Sequence, residues 1–295
     1  MPAVHTVHLV DASPYIFRAH FSLPSSIRSP EGARTGAVYG FVSFLLKLIA
    51  DERPTHLGVA FDRNLNGSFR NDFYPPYKAQ REEPPAELVA QLPACLEAAA
   101  ALGAATFIDD RYEADDLIAT LSAALSRRGH RTIVVSSDKD LAQLVSDSVT
   151  LYDFAKATRY TTLGVYEKFG VRPGQIPDLL GLAGDTVDNI PGVPGIGTKT
   201  AAELLAAYGT LEDLYARLDE LRTSRIRGAR TLFAKLTAAR DMAFLSKRLA
   251  TLAHDAPAGA DLSHLAYGGA DLETAGPLFD RLGFKGIRQR VAAPP

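Results

Sequence analysis

Short apolar runs alternate with longer helical patterns along the first half of the chain. The short runs have the length and composition of buried strands, and they cover 7–10, 56–61, 105–108, 132–136 and 149–154. Helical patterns fill the intervals from residue 14, over 36–50, over 85–102 and over 114–128. Strands that alternate with helices predict an α/β fold, in which a mostly parallel sheet is covered by helices on both faces.

The pattern changes at about residue 173, where helical segments become dominant. We therefore predict an α/β domain over 1–172 and a helical region over 173–290. A cluster of Gly and Pro, within 191–200, interrupts the helical region near its start. Glycine and proline at this density are typical of a tight turn between two helices.

Composition and charge narrow the class of protein. No apolar run reaches the roughly 18 residues that would span a membrane, so we expect a cytoplasmic protein without a membrane partner. The single cysteine, Cys95, excludes an internal disulfide and a multi-cysteine zinc site. The net charge of −2 argues against nucleic-acid binding, yet six basic residues and no acid occur within 221–240.

Acidic residues follow three of the predicted strands. Asp11 ends the first strand, Asp62 ends the second, and Asp138 and Asp140 follow the fourth. In an open parallel sheet, ligands bind beyond the carboxyl ends of the strands. We therefore expect these four side chains to lie close together at one edge of the sheet.

Two further acidic groups raise the number of candidate carboxylates to nine. The first is Glu113, Asp115 and Asp116 at a predicted helix start, and the second is Asp185 with Asp188. Residues three positions apart share a helix face, so the outer members of each group can point one way. Each acid alone could be a helix cap, a partner of the helix dipole or a turn residue. Nine together favour a cation site, because Mg²⁺ takes oxygen ligands and two such ions can hydrolyse a phosphodiester.

A glycine-rich turn precedes one of the predicted helices. Gly192, Gly195 and Gly197 permit positive φ angles and close approach of the backbone, and Lys199 follows them. Since helix N-termini bind phosphates, this turn has the character of a helix–hairpin–helix clamp for the DNA backbone. A plain turn between helices is the alternative. A nucleotide-binding P-loop does not match, because Thr198 separates Gly197 from Lys199.

Basic and aromatic residues follow Asp62. The stretch 63–81 carries four basic residues against one acid, and it includes Phe73, Tyr74 and Tyr77. Contacts from Arg and Lys to phosphates, with bases stacked on aromatic rings, are the usual means of holding a single strand. A solvated loop is the alternative, although the stretch is long for a loop without a function.

The ordered set of motifs resembles the bacterial 5′→3′ exonuclease and flap endonuclease family, which includes the N-terminal nuclease domain of DNA polymerase I. The matching motifs are the segments 9–11, 59–62, 68–70, 77–78, 112–116, 137–140 and 184–197. The resemblance runs from about residue 5 to about residue 255. It implies a PIN-like α/β core, a helical arch over about 70–95 and a helix–three-turn–helix region that binds DNA.

The resemblance also implies roles for individual residues. One metal cluster with its surroundings would comprise Asp11, Asp62, Glu113, Asp115 and Asp116. The other would comprise Asp138, Asp140, Asp185 and Asp188. Lys78 and Arg81 would act on the scissile phosphate, Tyr77 would stack on a terminal base, and Arg18 and Arg70 would lie near phosphates. The turn with Gly192, Gly195, Gly197 and Lys199 would clamp the DNA and could also hold K⁺.

The resemblance thus implies a structure-selective nuclease that hydrolyses DNA near 5′ ends with two Mg²⁺ ions, for which Mn²⁺ can substitute. Its substrates would be DNA with 5′ ends, flaps or nicks, in replication or repair, with a DNA polymerase acting in trans. The alternatives are a non-catalytic binder of DNA junctions and a PIN-type ribonuclease. The chain departs from the family pattern at His20-Phe21, where relatives often carry an aromatic residue followed by His.

Overall fold

A six-stranded sheet forms the centre of the molecule. The computed structural model describes residues 3–64, 67–259 and 261–292. The strands are β1 (Thr6–Asp11), β2 (Leu57–Asp62), β3 (Ala105–Asp109), β4 (Arg131–Val135), β5 (Val149–Asp153) and β6 (Thr158–Tyr160). Their order is β3-β2-β1-β4-β5-β6, and all neighbours are parallel except β5 and β6. The five predicted strands are therefore confirmed, and the three-residue antiparallel edge strand β6 is an addition.

Helices cover both faces of this sheet. In the first part of the chain they are α1 (Ser13–Ser22), α2 (Gly36–Glu52), α3 (Arg70–Phe73), α4 (Ala86–Val89), α5 (Leu92–Ala101), α6 (Ala114–Arg127) and α7 (Thr162–Phe169). The single helix predicted over 85–102 is instead divided into α4 and α5. Pro93 lies in the first turn of α5, where its missing N–H does no harm, whereas inside one long helix it would break a hydrogen bond.

The two faces of the sheet belong to two hydrophobic cores. On one face, α1, α2 and α5 bury side chains such as Phe41 and Leu45 against Val59 and Phe61. On the other face, α6 joins the sheet to the helical region in one continuous apolar cluster. The strands that end in acidic residues are thus packed on both faces of the sheet, and this packing fixes the position of the sheet's carboxyl edge.

The helical region contains α8 (Ile176–Ala183), α9 (Thr198–Tyr208), α10 (Leu211–Ala216), α11 (Ala229–Ala238) and α12 (Arg240–Ala250). Helices α8 and α12 pack closely, because Gly181 has no side chain: a Cβ there would lie 3.0 Å from Cβ of Lys247. The segment between α8 and α9 is non-helical, which confirms the predicted turn between two helices.

The last three helices return to the α/β core. They are α13 (Leu262–Leu265), α14 (Leu272–Arg281) and α15 (Lys285–Ala292). The N–H of Tyr267 donates to the carbonyl of Thr55 at 2.9 Å, and the rings of Phe284 and Tyr39 are 5.3 Å apart. The predicted helical region over 173–290 is therefore too long, since its final part completes the core beneath α2 and α5.

The predicted helical arch over about 70–95 is mostly not helical. Only α3 and α4 and the start of α5 lie within it, and residues 74–85 form turns and extended backbone. Within it, the N–H of Lys78 donates to the carbonyl of Asp188 at 3.0 Å, so the turn around Lys78 is held against the segment between α8 and α9. Among the described residues, no helix is both long enough and apolar enough to cross a bilayer.

Candidate functional site

The carboxyl edge of the sheet carries two acids, Asp11 and Asp62, that are held by hydrogen bonds. Asp11 ends β1 and accepts from the hydroxyl of Ser136 at 2.7 Å. Asp62 ends β2 and accepts from the hydroxyl of Ser13 at 2.6 Å and from the N–H of Ala114 at 2.8 Å. Because β1 lies between β2 and β4, the residues that follow all three strands meet at one place, as predicted.

Two clefts open at this edge, and the acids divide between them. The first cleft, of about 200 Å³, is lined by Asp11, Asp62, Glu113, Asp115 and Asp138. The second cleft, of about 290 Å³, is lined by Asp138, Asp140, Asp185 and Asp188. Asp138 and Arg81 line both clefts. Eight of the nine candidate carboxylates are therefore brought together, and Asp138 stands at the boundary between the two groups.

Burial and mutual repulsion oppose the ionisation of these acids. Burial, followed by the charge of Asp62, raises the pKa of Asp11 well above its usual range. Burial, followed by the charge of Asp138, does the same to the pKa of Asp115 and to the pKa of Asp140. Such shifts mark a place where negative charge is concentrated and where cations are favoured.

Cationic side chains of the chain itself already lie among the acids. Lys78 forms an ion pair with Glu113 and lies 3.8 Å from Asp188. Arg81 donates to Asp188 at 2.5 Å. Burial opposes the ionisation of Glu113, but Lys78 and Arg70 outweigh it and lower the pKa of Glu113.

Lys139 is a site residue that the sequence interpretation did not identify. Its ammonium group lies 2.6 Å from the carboxylate of Asp185, in the second cleft. The signal was available in the sequence, because Lys139 stands between two candidate acids, Asp138 and Asp140. A lysine in that position follows the strand end together with the acids and faces the same edge.

Arg70 and Asp116 lie behind the site, and neither lines one of the two clefts. Arg70 is 1% exposed, and its guanidinium group donates to both oxygens of Asp116, to Glu113 and to two backbone carbonyls. Asp116 is fully buried and also accepts from the N–H of Ala253. Neither side chain has an atom available for a phosphate or for a metal ion. Their pair fixes Glu113, which caps α6, in its place at the first cleft.

Tyr77 is also buried, so its ring is not available to stack on a base. It is 3% exposed, and its hydroxyl donates to Asp188 at 3.1 Å and lies 3.3 Å from Glu113. The guanidinium group of Arg70 lies 5.8 Å from the ring centroid. In this structure Tyr77 connects the acids of the two clefts, and its stacking on a terminal base stays a prediction that requires residues 74–81 to open.

The spacing of Asp185 and Asp188 predicted that they share a helix face, but the structure places them in a turn. They lie in a tight turn in which the N–H and C=O of Asp185 both bond to Ile190, at 2.8 and 2.7 Å. Gly184 precedes this turn with a φ of 73°, a conformation that side chains rarely adopt. The turn nevertheless directs both carboxylates to the second cleft.

The glycine-rich turn is built largely as predicted. Gly192 and Gly195 have φ angles of 63° and 75°, and a Cβ at Gly192 would collide with the backbone of Gly184. Gly197 differs, because its φ of −94° and the open space around it require no glycine. Lys199 is exposed in the first turn of α9. Arg18, the other predicted phosphate contact, is exposed on α1.

Family models match nearly the whole of this architecture. Residues 6–170 match the 5′-3′ exonuclease N-terminal resolvase-like domain, and residues 171–273 match the 5′-3′ exonuclease C-terminal SAM fold. The chain belongs to the 5′-3′ exonuclease family. The predicted α/β fold, the attached helical region and the nuclease class of enzyme are thereby confirmed.

Relatives within the 5′-3′ exonuclease family include DNA polymerases. DNA polymerase I of Bacillus caldotenax is 41% identical over 290 residues, which are 97% of this chain and 32% of that protein. DNA polymerase I of Rhizobium leguminosarum is 43% identical over 264 residues, 87% of this chain and 25% of that protein. The chain spans about a third of the length of the curated relatives it matches, or less.

Solved structures of nucleases share the fold. The bacteriophage T5 5′-exonuclease with bound zinc has a TM-score of 0.68 at 20% identity, over 97% of this chain and 96% of that chain. The catalytic core of Rad2 in complex with a DNA substrate has a TM-score of 0.62 at 14% identity, over 98% and 91%. At such identities the likeness establishes the fold alone.

The donor chemistry of the two clefts in this member of the family fits divalent cations. Carboxylate oxygens are the ligands that Mg²⁺ and Mn²⁺ take, and Oδ1 of Asp140 is buried without a hydrogen-bond partner. No three side chains of Asp, Glu, His or Cys are close enough to hold an ion as they stand, within the described part of the chain. The ammonium groups of Lys78 and Lys139 explain this, because they lie among the carboxylates that an ion would use.

Proposed function

We propose that this chain is a structure-selective 5′→3′ exonuclease and flap endonuclease that hydrolyses DNA near 5′ ends. The observation that carries this proposal is the pair of acidic clefts that share Asp138, with cationic side chains at their mouth. A phosphodiester is an anion, so an acidic site can act on it only with cations present. Paired clefts provide for two cations on either side of one scissile phosphate.

The cofactor we propose is Mg²⁺, two ions for each active site, with Mn²⁺ as a substitute. Asp11, Asp62, Glu113 and Asp115 would hold one ion, and Asp140, Asp185 and Asp188 the other, with Asp138 between them. When bound, the ions would neutralise the phosphate and lower the pKa of an attacking water. Mg²⁺ keeps several waters in its coordination shell, so not every carboxylate needs to contact an ion directly.

Lys78 and Arg81 have the position of phosphate-binding residues. Both side chains face the first cleft, and both are now paired with acids that the ions would take. Once those acids are neutralised, the ammonium and guanidinium groups are released to bind the oxygens of the scissile phosphate. There they would stabilise the negative charge that develops on the phosphate and on the leaving oxygen.

The duplex beside the cleaved strand would be held through its phosphates. Free N–H groups at the start of α9, with Lys199, would bind the backbone of one strand. The exposed Arg18, close to the first cleft on α1, would bind a phosphate near the active site. Basic residues over 222–240 would extend this contact along the duplex in a manner independent of base sequence.

A K⁺ ion at the glycine-rich turn is not required in this proposal. The carbonyl of Gly195, which such an ion would use, accepts a hydrogen bond from the ammonium group of Lys235 at 3.0 Å. Lys235 would therefore supply the positive charge that a bound K⁺ provides. DNA binding should then be the same in K⁺ and in Na⁺ at equal ionic strength.

The pathway we propose is replication or repair, in which flaps, nicks and 5′ ends arise. The support is that relatives of this chain are named DNA polymerase I, in which a matching segment accompanies a much longer remainder. A DNA polymerase is therefore the proposed partner. Displacement synthesis by such an enzyme would produce the 5′ flaps that this chain would remove.

Cleavage of a 5′-labelled flap DNA by the purified protein, with Mg²⁺ and with EDTA, tests the proposal. We expect release of the flap or of short 5′ products in Mg²⁺ only. A matched RNA flap in the same assay separates a DNA nuclease from a PIN-type ribonuclease. Absence of cleavage in both Mg²⁺ and Mn²⁺, with binding of the junction intact, would leave the non-catalytic binding protein as the better description.

A further inference from the structure

An apolar pocket lies beside the first cleft. It is formed by α1, by the carboxyl ends of β2 and β3, and by α4 and α5, and its volume is about 290 Å³. Its apolar lining includes Ile16, Phe61, Val89, Leu92, Leu96 and Ile108. A concave apolar wall of this size, close to polar groups, is typical of a site for a small organic group.

Two of the lining side chains are more exposed than large apolar residues usually are. Val89 is 45% exposed and Ile108 is 37% exposed. Single apolar residues on a surface are common, but these two line one cavity together with the half-buried Leu92 and Leu96. Covering this surface would remove apolar area from water, which favours association with an apolar group.

The apolar pocket is continuous with the proposed active site on one side. Ser13 and Asp62 line both the apolar pocket and the first cleft. On its other side it shares Arg63, Val89 and Leu92 with an open groove of about 460 Å³, which is also lined by Glu83 and Pro84. The apolar pocket thus adjoins the acidic cleft on one side and the open groove on the other.

We propose that the apolar pocket binds the base of an unpaired nucleotide next to the scissile phosphate. This inference rests on the proposed function, because it takes the scissile phosphate to lie in the first cleft. The flat faces of a base are the apolar surface that DNA exposes once it is unpaired, and contacts to them stabilise single-strand binding. Arg63 lies at the rim, where its exposed ion pair with Asp110, at 2.9 Å, can exchange for a phosphate at little cost.

The same wall indicates that the pocket accepts any base. Its polar side chains on the cleft side, Ser13 and Asp62, are hydrogen-bonded to each other at 2.6 Å and are not free to read base edges. Selection by a pocket of this kind depends on whether a base is unpaired, since a paired base cannot leave its stack without cost. We expect all four bases to bind with similar affinity.

A thermodynamic cycle between DNA and protein tests the proposal. A set of flap substrates is made in which each carries a single abasic nucleotide at a different position around the cleaved bond. The affinity of the protein for each substrate is measured by fluorescence anisotropy in Ca²⁺. The protein variants are Ile108→Asn and Val89→Asn, which change no charge and lie at exposed positions. Leu163→Asn is the matched control, since Leu163 is 65% exposed on α7 and lines none of these spaces.

At one position the abasic nucleotide should weaken binding by the wild type roughly tenfold, the scale of one lost base contact. Ile108→Asn should weaken binding of the intact flap to a similar extent, and the abasic change should then have no further effect. The proposal would be overturned if the effects of Ile108→Asn and of the abasic nucleotide on affinity multiply, or if no position in the DNA is sensitive to the loss of its base. The pocket would then have another occupant, such as an apolar peptide. Affinity is measured without cleavage, so an inactive wild type that still shows a sensitive abasic position would contradict the proposed function but not the binding of a base in the apolar pocket.

Discussion

Asp138 is the residue on which both clefts depend. It lines each of them, and its Oδ1 accepts the N–H of Asp140 at 2.8 Å, which fixes its direction. Burial and the charge of Asp188 raise the pKa of Asp138. The carboxylate is therefore costly to the metal-free fold, as is expected of a group placed for function and not for stability.

Replacement of Asp138 by Asn should separate activity from binding. We expect single-turnover cleavage in Mg²⁺ to fall at least roughly a hundredfold, the loss that follows removal of one electrostatic group from an active site. Flap affinity should stay within a few-fold of the wild type. In EDTA the free energy of unfolding should rise by about 1 kcal/mol, because a buried like charge is removed. Asp147→Asn, at an exposed acid before β5, is the control, and wild-type turnover by Asp138→Asn would refute the assigned role.

Arg70 gives a prediction of the opposite kind, in which stability changes and phosphate binding does not. Removing it leaves Glu113 and Asp116 buried without their cation, so Arg70→Ala should lower the free energy of unfolding by about 3–5 kcal/mol. Urea denaturation in EDTA measures this loss. Arg70→Lys should lose less, since it keeps the charge and gives up the paired geometry of the guanidinium group. If the Arg70→Ala protein is as stable as the wild type but binds DNA more weakly, Arg70 would have to be a DNA-binding residue.

His8 makes stability depend on pH at a position away from the clefts. It is buried on β1 with its Nε2 atom 3.4 Å from Glu52, and burial lowers the pKa of His8 more than Glu52 raises it. The folded protein thus binds fewer protons here than the unfolded chain near pH 6, so stability is present above the unfolded pKa and is lost as pH falls. Urea midpoints between pH 7 and pH 5 should fall more steeply for the wild type than for His8→Gln. Parallel curves would contradict this assignment.

At the residue scale, sequence patterns located the acids but could not tell which of them are buried. The spacing of Glu113, Asp115 and Asp116 is the same whether an acid faces a cleft or an arginine. Asp116 is buried because it pairs with Arg70, and Arg70 is itself held by the carbonyls of Leu249 and Thr251, about 180 residues away. No local pattern contains such a contact, which is why Arg70, Asp116 and Tyr77 were assigned to the substrate or to the metals.

At the scale of elements, the turn over 74–81 is held to the turn over 184–190. The N–H of Lys78 donates to the carbonyl of Asp188 at 3.0 Å, and the side-chain amide of Asn189 donates to the carbonyl of Pro76 at 2.6 Å. Gln80 donates to two further carbonyls of the same turn. These contacts, with the ion pairs of Lys78 and Arg81, hold residues 74–81 beside both clefts.

Binding of Mg²⁺ should therefore loosen residues 74–81. Bound ions take Glu113 and Asp188 from Lys78 and Arg81, so hydrogen exchange in this segment should become faster in Mg²⁺ than in EDTA. Exchange in β1 serves as the internal reference. Asn189→Ala, which removes one of the contacts, should speed exchange in EDTA as well. Unchanged exchange at Mg²⁺ concentrations that support cleavage would show that the ions enter without opening this segment.

Elements with a strong apolar pattern were predictable, and those that depend on long-range contacts were not. The apolar runs that became β1 to β5 and α2 are visible in the sequence because most of their side chains are buried in the two cores. Strand β6 is only three residues long and exists because Leu151 and Tyr152 offer it an edge to pair with. The non-helical turn over 184–190 likewise follows from the close approach of Gly184 and Gly192, which a spacing of three residues cannot reveal.

At the scale of the whole molecule, the charge is segregated although the total is near neutral. The acids lie at the carboxyl edge of the sheet, whereas six basic residues occur between Leu221 and Arg240 in a stretch without an acid. Arg225, Arg227 and Arg230 are exposed there, before and within α11. A duplex that reaches from the clefts along α11 would meet positive charge throughout its length.

Loss of these basic residues should change the salt dependence of DNA binding. Each phosphate contact removed should reduce the slope of log affinity against log salt by about 1, so Arg225→Ala with Arg230→Ala should reduce it by about 2. Titrations at several KCl concentrations measure the slope, and cleavage at saturating protein should be unaffected. Arg131→Ala, at the opposite edge of the sheet, is the control. A slope equal to that of the wild type would place the duplex elsewhere.

The return of α14 and α15 to the sheet has a consequence for biosynthesis. Phe279, Leu282 and Phe284 complete the core under α2 and α5, yet the ribosome makes them long after the side chains they cover. The nascent chain must therefore leave that side of α2 and α5 uncovered until this segment emerges from the exit tunnel. During that interval a chaperone would have an apolar surface to bind, and a break in translation before residue 279 would leave a polypeptide prone to aggregation and degradation.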